Sequence, residues 1–205
     1  MPGGFSRYDR PEADQSRYCY PGTDVLINRE NITNAKSLAK YEADMTIIRQ
    51  YELEIEQVVK GNFGITHLKR IHKYIFQDIY PFAGKFRLEN ISKGNTEFCK
   101  SEFIEDNMKT ILNELKGDNY LKGLNAEDFS MKAAYYMSEI NMIHPFREGN
   151  GRTIREFIRQ LAYKNGHIIN WSLVNKNDLM QSIMYAVGKD YGPLSTCIIK
   201  AIENK

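Results

Sequence analysis

The residues best placed to do chemistry sit in one run, Ile143-His144-Pro145-Phe146-Arg147-Glu148-Gly149-Asn150-Gly151-Arg152-Thr153-Ile154-Arg155. Gly149-Asn150-Gly151 offers no bulky side chain to keep a ligand from its backbone. It opens a predicted helix over 151–164, where free N–H groups and the helix dipole favour an anion. Arg152 and Arg155 lie three apart on the first turn and can converge on that anion. Two arginines at a helix N-terminus are disfavoured by the dipole, and an anionic ligand offsets that cost. Glu148 sets a carboxylate beside the nest, where it would repel a phosphate unless a cation such as Mg²⁺ bridged them. His144 is the group there that titrates near neutrality, which makes it the candidate general base. Pro145 and Phe146 have structural roles, a fixed bend and a core anchor. Taken singly, a Gly-Asn-Gly turn, a His before Pro and an Arg pair are all commonplace. Their joint occurrence in twelve residues points to phosphate chemistry.

The elements that must position this run are mostly helical. Leu38, Tyr41, Met45, Ile48, Ile55 and Val58 form an apolar stripe between about 34 and 59. After Gly61-Asn62-Phe63-Gly64, with Thr66 as the expected cap, a second helix carries Leu68, Ile71, Ile75 and Ile79 and ends before Pro81. Residues 85–100 break the helical period, and two short arms around Gly94-Asn95 predict a polar hairpin. Further helices are expected from Ser101 (Phe103, Met108, Ile111, Leu112, Leu115), from Asn125 or Ala126 (Phe129, Ala133, Tyr136, Met137, Ile140), over 151–164 with Gly166 as its stop, and over 177–187 and 193–202. The expected fold class is all-α, six to eight helices with one small β-hairpin, in a single domain spanning 1–205. Residues 1–17 read as a loose arm, and Tyr18 to Leu26 turns at Pro21-Gly22 to dock on the body.

Composition narrows the alternatives. The 205 residues carry 28 basic and 26 acidic side chains, a formal charge of +2. That balance supplies no basic field for nucleic acid. Mean hydropathy is −0.52, no run approaches a membrane span, and the polar N-terminus lacks a secretory h-region. Cys19, Cys99 and Cys197 are widely spaced and odd in number, so they read as reduced thiols of a cytoplasmic protein. The four histidines form no HxH or HExxH pattern, which argues against a transition metal.

The run 144–155 resembles the signature of Fic-domain proteins, HPFx(D/E)GNGRxxR, at every specified position. Tyr80 to Arg87 is similar to the segment before that family's flap, and 85–100 to the flap itself. Tyr20 to Leu26 resembles the toxin subclass of the family. The resemblance implies the Fic fold and protein adenylyltransferase activity, with AMP passing from ATP to a Ser, Thr or Tyr hydroxyl and pyrophosphate leaving. It implies that His144 deprotonates the hydroxyl and that Glu148 holds Mg²⁺. It also implies that Gly149, Asn150, Gly151, Arg152 and Arg155 bind the nucleotide phosphates. Lys93, Gly94, Asn95, Thr96, Glu97 and Phe98 would register the target by strand addition. The alternative is a phosphotransferase or other nucleotidyltransferase on the same fold; Gly151, where the phosphotransferase branch has lysine, favours adenylyl transfer. The toxin resemblance implies bacterial DNA gyrase or topoisomerase IV subunits as targets. The family's restraint is a helix bearing (S/T)xxxE(G/N), whose Glu pairs with the position of Arg155. Glu30-Asn31, Glu89-Asn90, Glu148-Gly149 and Glu203-Asn204 all lack the upstream hydroxyl residue. Either the chain is unrestrained or, as expected here, a separate small helical antitoxin supplies the glutamate, with a degenerate inhibitor around Glu203 as a further alternative.

Overall fold

The computed structural model describes residue 8 and residues 15–204; the expected arm otherwise lies outside the described residues. Ser16, which composition places in that arm, is buried, and its hydroxyl donates to the Glu89 carboxylate at 2.8 Å. Seven α-helices are present among the described residues: α1 (Ala35–Glu56), α2 (Ile65–Phe76), α3 (Ile104–Gly117), α4 (Ala126–Ile143), α5 (Asn150–Lys164), α6 (Lys176–Val187) and α7 (Gly192–Ala201). One antiparallel hairpin, β1 (Ser92–Lys93) and β2 (Thr96–Glu97), pairs Ser92 with Glu97 and Lys93 with Thr96. Among the described residues the fold is all-α apart from this hairpin.

Helix α4 is the centre of the core. It packs on α3, α5, α6 and α7, while α2 lies across α5, α1 and α3. Asn125 caps α4 by accepting the Asp128 N–H at 2.8 Å, and Phe129, Ala133, Tyr136 and Ile140 are wholly buried. A period near 3.6 of apolar residues forms and seats this helix together. Helix α2 follows the same logic through Leu68, Ile71 and Ile75, with Ile79 buried just beyond its end. Its cap is Gly64 rather than Thr66, which falls inside the first turn.

Helix α1 departs from the expected pattern. Its buried residues are Leu38, Glu42, Thr46 and Leu53. Ile48, Ile55 and Val58 face outward, and Ile47 and Tyr51 join them in the exposed apolar set. The cause is polar pairing. Glu42 accepts from Arg152 Nη2 at 2.7 Å and from the Tyr80 hydroxyl, and Thr46 Oγ1 lies 3.3 Å from Arg152 Nη1. A buried carboxylate is tolerated when its oxygens are paired, and this pairing turns the helix away from its most apolar stripe.

The segment before α1 docks as expected. Its tight turn, with Gly22 at φ 71°, closes through Tyr20 N–H to Val25 C=O at 2.9 Å and Ile27 N–H to Tyr18 C=O at 2.8 Å. The Tyr18 hydroxyl then accepts the Leu88 N–H at 3.0 Å, tying this turn to the base of the hairpin.

Candidate active site

The end of α4 and the start of α5 face each other across a tight loop. His144 stands just past Ile143 in the left-handed region, φ 49°, with its N–H still bonded to Ile140 C=O at 3.1 Å. A β-branch-free residue held at positive φ is uncommon and is kept only where surroundings fix it. They do so here: Nδ1 lies 2.9 Å from the Asn141 carbonyl oxygen. A carbonyl can only accept, so Nδ1 carries the proton and Nε2 presents its lone pair. Burial first, then the charges of Arg87 and Lys93, lower the ring's pKa to about 3. The imidazole is therefore neutral at physiological pH, the state a base requires.

Arg87 fixes this arrangement, and sequence reasoning missed it. The side chain is fully buried, with no carboxylate partner in contact among the described residues. Its Nε donates to His144 C=O at 2.9 Å, Nη1 to Glu89 C=O at 2.6 Å, and Nη2 to Cys99 C=O and, at 3.3 Å, to Ile143 C=O. One guanidinium thus clamps both feet of the hairpin to the catalytic loop. Burial lowers its pKa to about 10, so it remains charged. The neighbouring Arg147 donates from Nε to Glu89 Oε1 at 2.8 Å. Phe98, at the hairpin's exit, stacks on the His144 ring at 3.9 Å and 21°.

The other side of the site is main chain. Gly149 starts α5 at φ 80°, and a Cβ there would meet Phe76 Cζ at 2.1 Å. Only glycine fits both demands. Asn150 spends its side chain on Phe146, accepting its N–H at 2.9 Å and donating to its C=O at 2.7 Å. It locks the loop and leaves its backbone N–H, with those of Gly151 and Arg152, at the open end of the helix. His72 is a second missed residue. Its Nδ1 accepts the Gly84 N–H at 2.8 Å, so Nε2 donates to Glu148 C=O at 3.0 Å while the ring stacks on Phe146 at 3.8 Å. Neither Arg87 nor His72 lies within the run 144–155, and each is tied to that run only through main-chain atoms far along the chain, so residue type and spacing carried no signal.

Arg152 and Arg155 differ in their ties. Burial opposes the charge of Arg152, yet the Glu42 and Glu148 carboxylates restore it and its pKa is raised. Arg155 has no ion pair and no side-chain hydrogen bond among the described residues; burial, then repulsion from Arg152, lowers its pKa. Glu203 accepts from Asn170 Nδ2 at 2.8 Å and does not engage Arg155. Glu148 is buried, accepts the Gly149 N–H at 2.9 Å and lies 3.5 Å from Arg152.

The Fic/DOC family model matches residues 62–162. The chain is 36% identical to the probable protein adenylyltransferase Fic of Escherichia coli, over 91% of this chain and 92% of that protein. The chain belongs to the Fic/DOC family. It is 40% identical to the protein adenylyltransferase VbhT of Bartonella schoenbuchensis over 83% of this chain, and that match spans 36% of VbhT. The crystal structure of the effector BepC from Bartonella tribocorum, with bound AMPPNP, superposes with a TM-score of 0.83 at 23% identity. It covers 92% of this chain and 97% of that one, so the two share the fold.

Against this Fic framework, the site residues expected from sequence fall in one place: His144 at the end of α4, Glu148 to Arg155 at the start of α5, and the 93–98 hairpin above His144. A cavity of about 240 Å³ bordered by Phe63, His67, Arg159 and Tyr163 lies at the C-terminal half of α5 and touches none of them. No helix among the described residues is long and apolar enough to cross a membrane.

Proposed function

We propose that this chain is a protein adenylyltransferase that moves AMP from ATP to a hydroxyl of a protein target. The observation that carries the reading is His144. Its Nδ1 proton is committed to Asn141, and its bare Nε2 is already within hydrogen-bond distance of a hydroxyl, that of Tyr8, at 2.7 Å. The names of the relatives above agree with this reading. His144 takes the proton from the attacking hydroxyl. The backbone donors of Asn150, Gly151 and Arg152 and the side chains of Arg152 and Arg155 bind phosphate oxygens, whose charge stabilises the imidazolium formed. The exposed edge of the hairpin aligns an extended target segment through main-chain hydrogen bonds.

Glu148 suits a divalent metal. Among the described residues no group of three His, Cys, Asp or Glu could hold one alone. Mg²⁺ takes one or two protein carboxylates when phosphate oxygens and water complete its shell, and a single buried carboxylate beside an anion nest is such a donor set. Bound there, the metal would neutralise phosphate charge; Glu148 would orient it.

Arg155, which has no ion pair among the described residues, supports a toxin restrained in trans. A separate helical antitoxin would place its glutamate on Arg155, and the outward stripe of Ile47, Tyr51 and Ile55 on α1 is the apolar face on which it would lie. Lysate incubated with the purified chain and Mg-ATP tests the activity. Label on the α-phosphate should pass to protein, and label on the γ-phosphate should not. The opposite result would make the chain a kinase.

A further inference from the structure

The hydroxyl on His144 belongs to this chain. Tyr8 is only 8% exposed, and its Oη lies 2.7 Å from His144 Nε2. Because Nε2 bears no proton, the phenol is the donor. The Tyr8 ring meets His144 edge-on at 5.2 Å and Phe98 edge-on at 6.0 Å, so it sits between the base and the hairpin that would align a target. The Arg147 guanidinium lies 5.6 Å from the Tyr8 ring centre, while its Nη1 and Nη2 are buried with no hydrogen-bond partner among the described residues. A cation placed over a phenol in a dry site favours the charge that grows on its oxygen as the proton leaves.

These contacts are those that the nucleophile of an adenylyl transfer needs. We infer that Tyr8 is a site of self-adenylylation in cis. Tyr8 Oη bonds to the α-phosphorus of ATP, and the bond from that phosphorus to its bridging oxygen breaks. Pyrophosphate departs with the electron pair, and the phenolic proton passes to His144 Nε2. The product is O-adenylyl-Tyr8. While unmodified, the phenol competes with a target hydroxyl for the same nitrogen.

The inference rests on the adenylyl-transfer reading, and one experiment separates their failures. The full chain is incubated with α-labelled Mg-ATP, with and without bacterial lysate, over a dilution series, and then digested with trypsin. Residues 8–17 hold a single tyrosine, and trypsin does not cut before Pro11, so they emerge as one peptide. The expected result is label on Tyr8 with a rate constant independent of dilution, lost in Tyr8→Phe and in His144→Ala. Circular dichroism of Tyr8→Phe, which keeps the ring, checks its fold. Labelled lysate proteins with an unlabelled 8–17 peptide would overturn the inference and leave the activity standing. A Tyr8 rate that falls with dilution would overturn the cis route. Absence of label everywhere would overturn the adenylyl-transfer reading itself.

Discussion

The two walls of the site are built in different ways. The wall proposed to take phosphate is one continuous stretch, Glu148 to Arg155, whose donors are main-chain groups at the start of α5 and the side chains of Arg152 and Arg155. The acceptor wall is assembled from Tyr8, Arg87, Phe98 and His144, which meet only in the folded chain. The wall of local backbone has no room for an added atom at Gly149, where a Cβ would meet the Phe76 ring. A wall of distant parts depends on the clamp that gathers them. Substitutions on the two sides should therefore fail differently, the first through binding and packing, the second through alignment.

The largest effect is expected at Gly149. Alanine there meets Phe76 and an unfavourable φ together, costing about 3 kcal/mol or more. Urea unfolding should show the loss, and ATP binding should fall with it. On the acceptor wall, Arg87→Met leaves the carbonyls of His144, Glu89 and Cys99 without their shared donor. We expect a loss of about 3 kcal/mol and transfer reduced far more than ATP affinity. Equal loss of both would mean that Arg87 serves the fold as a whole and not the acceptor wall.

Helix α1 gives a sharper contrast. Amphipathic patterning makes Glu42→Leu look harmless and Ile48→Glu ruinous. The structure predicts the reverse: about 3 kcal/mol for Glu42→Leu, which strands Arg152 and Tyr80, and within about 0.5 kcal/mol for Ile48→Glu, which is 51% exposed. Thermal melts of the two variants, side by side, decide it.

Protonation touches both walls, one histidine on each. His72 and His144 have their pKa lowered by burial from 6.5 to about 3. Unfolding lets both bind protons, so the stability they hold is complete above pH 6.5 and drains as pH falls toward 3. Each contributes a slope of about 1.4 kcal/mol per pH unit within that window. Denaturant titrations across it should show His72→Gln with a shallower slope than the parent chain.

What could be foreseen from residue order follows the same division. The phosphate wall was legible because its residues are adjacent and its chemistry is carried by type and spacing. Helices α2 and α4 were legible because apolar period and packing agree. Arg87 and His72 were not, since each reaches main-chain atoms of the 143–148 stretch far along the chain, and no local pattern records that. Helix α1 was found, and Leu38, Tyr41 and Met45 face inward as expected, but Ile48, Ile55 and Val58 do not. The buried Glu42 and Thr46 look like surface residues until Arg152 is placed opposite them. Tyr8 lay in a stretch whose composition suggested only a loose arm.

Under the proposed function His144 acts on the acceptor hydroxyl while the start of α5 holds the nucleotide. His144→Ala, assayed for α-label transfer and titrated with Mg-ATP by calorimetry, tests it most directly. Transfer should fall by about 10²–10⁴-fold, with an ATP affinity close to that of the parent chain. A loss of affinity as deep as the loss of transfer would contradict it.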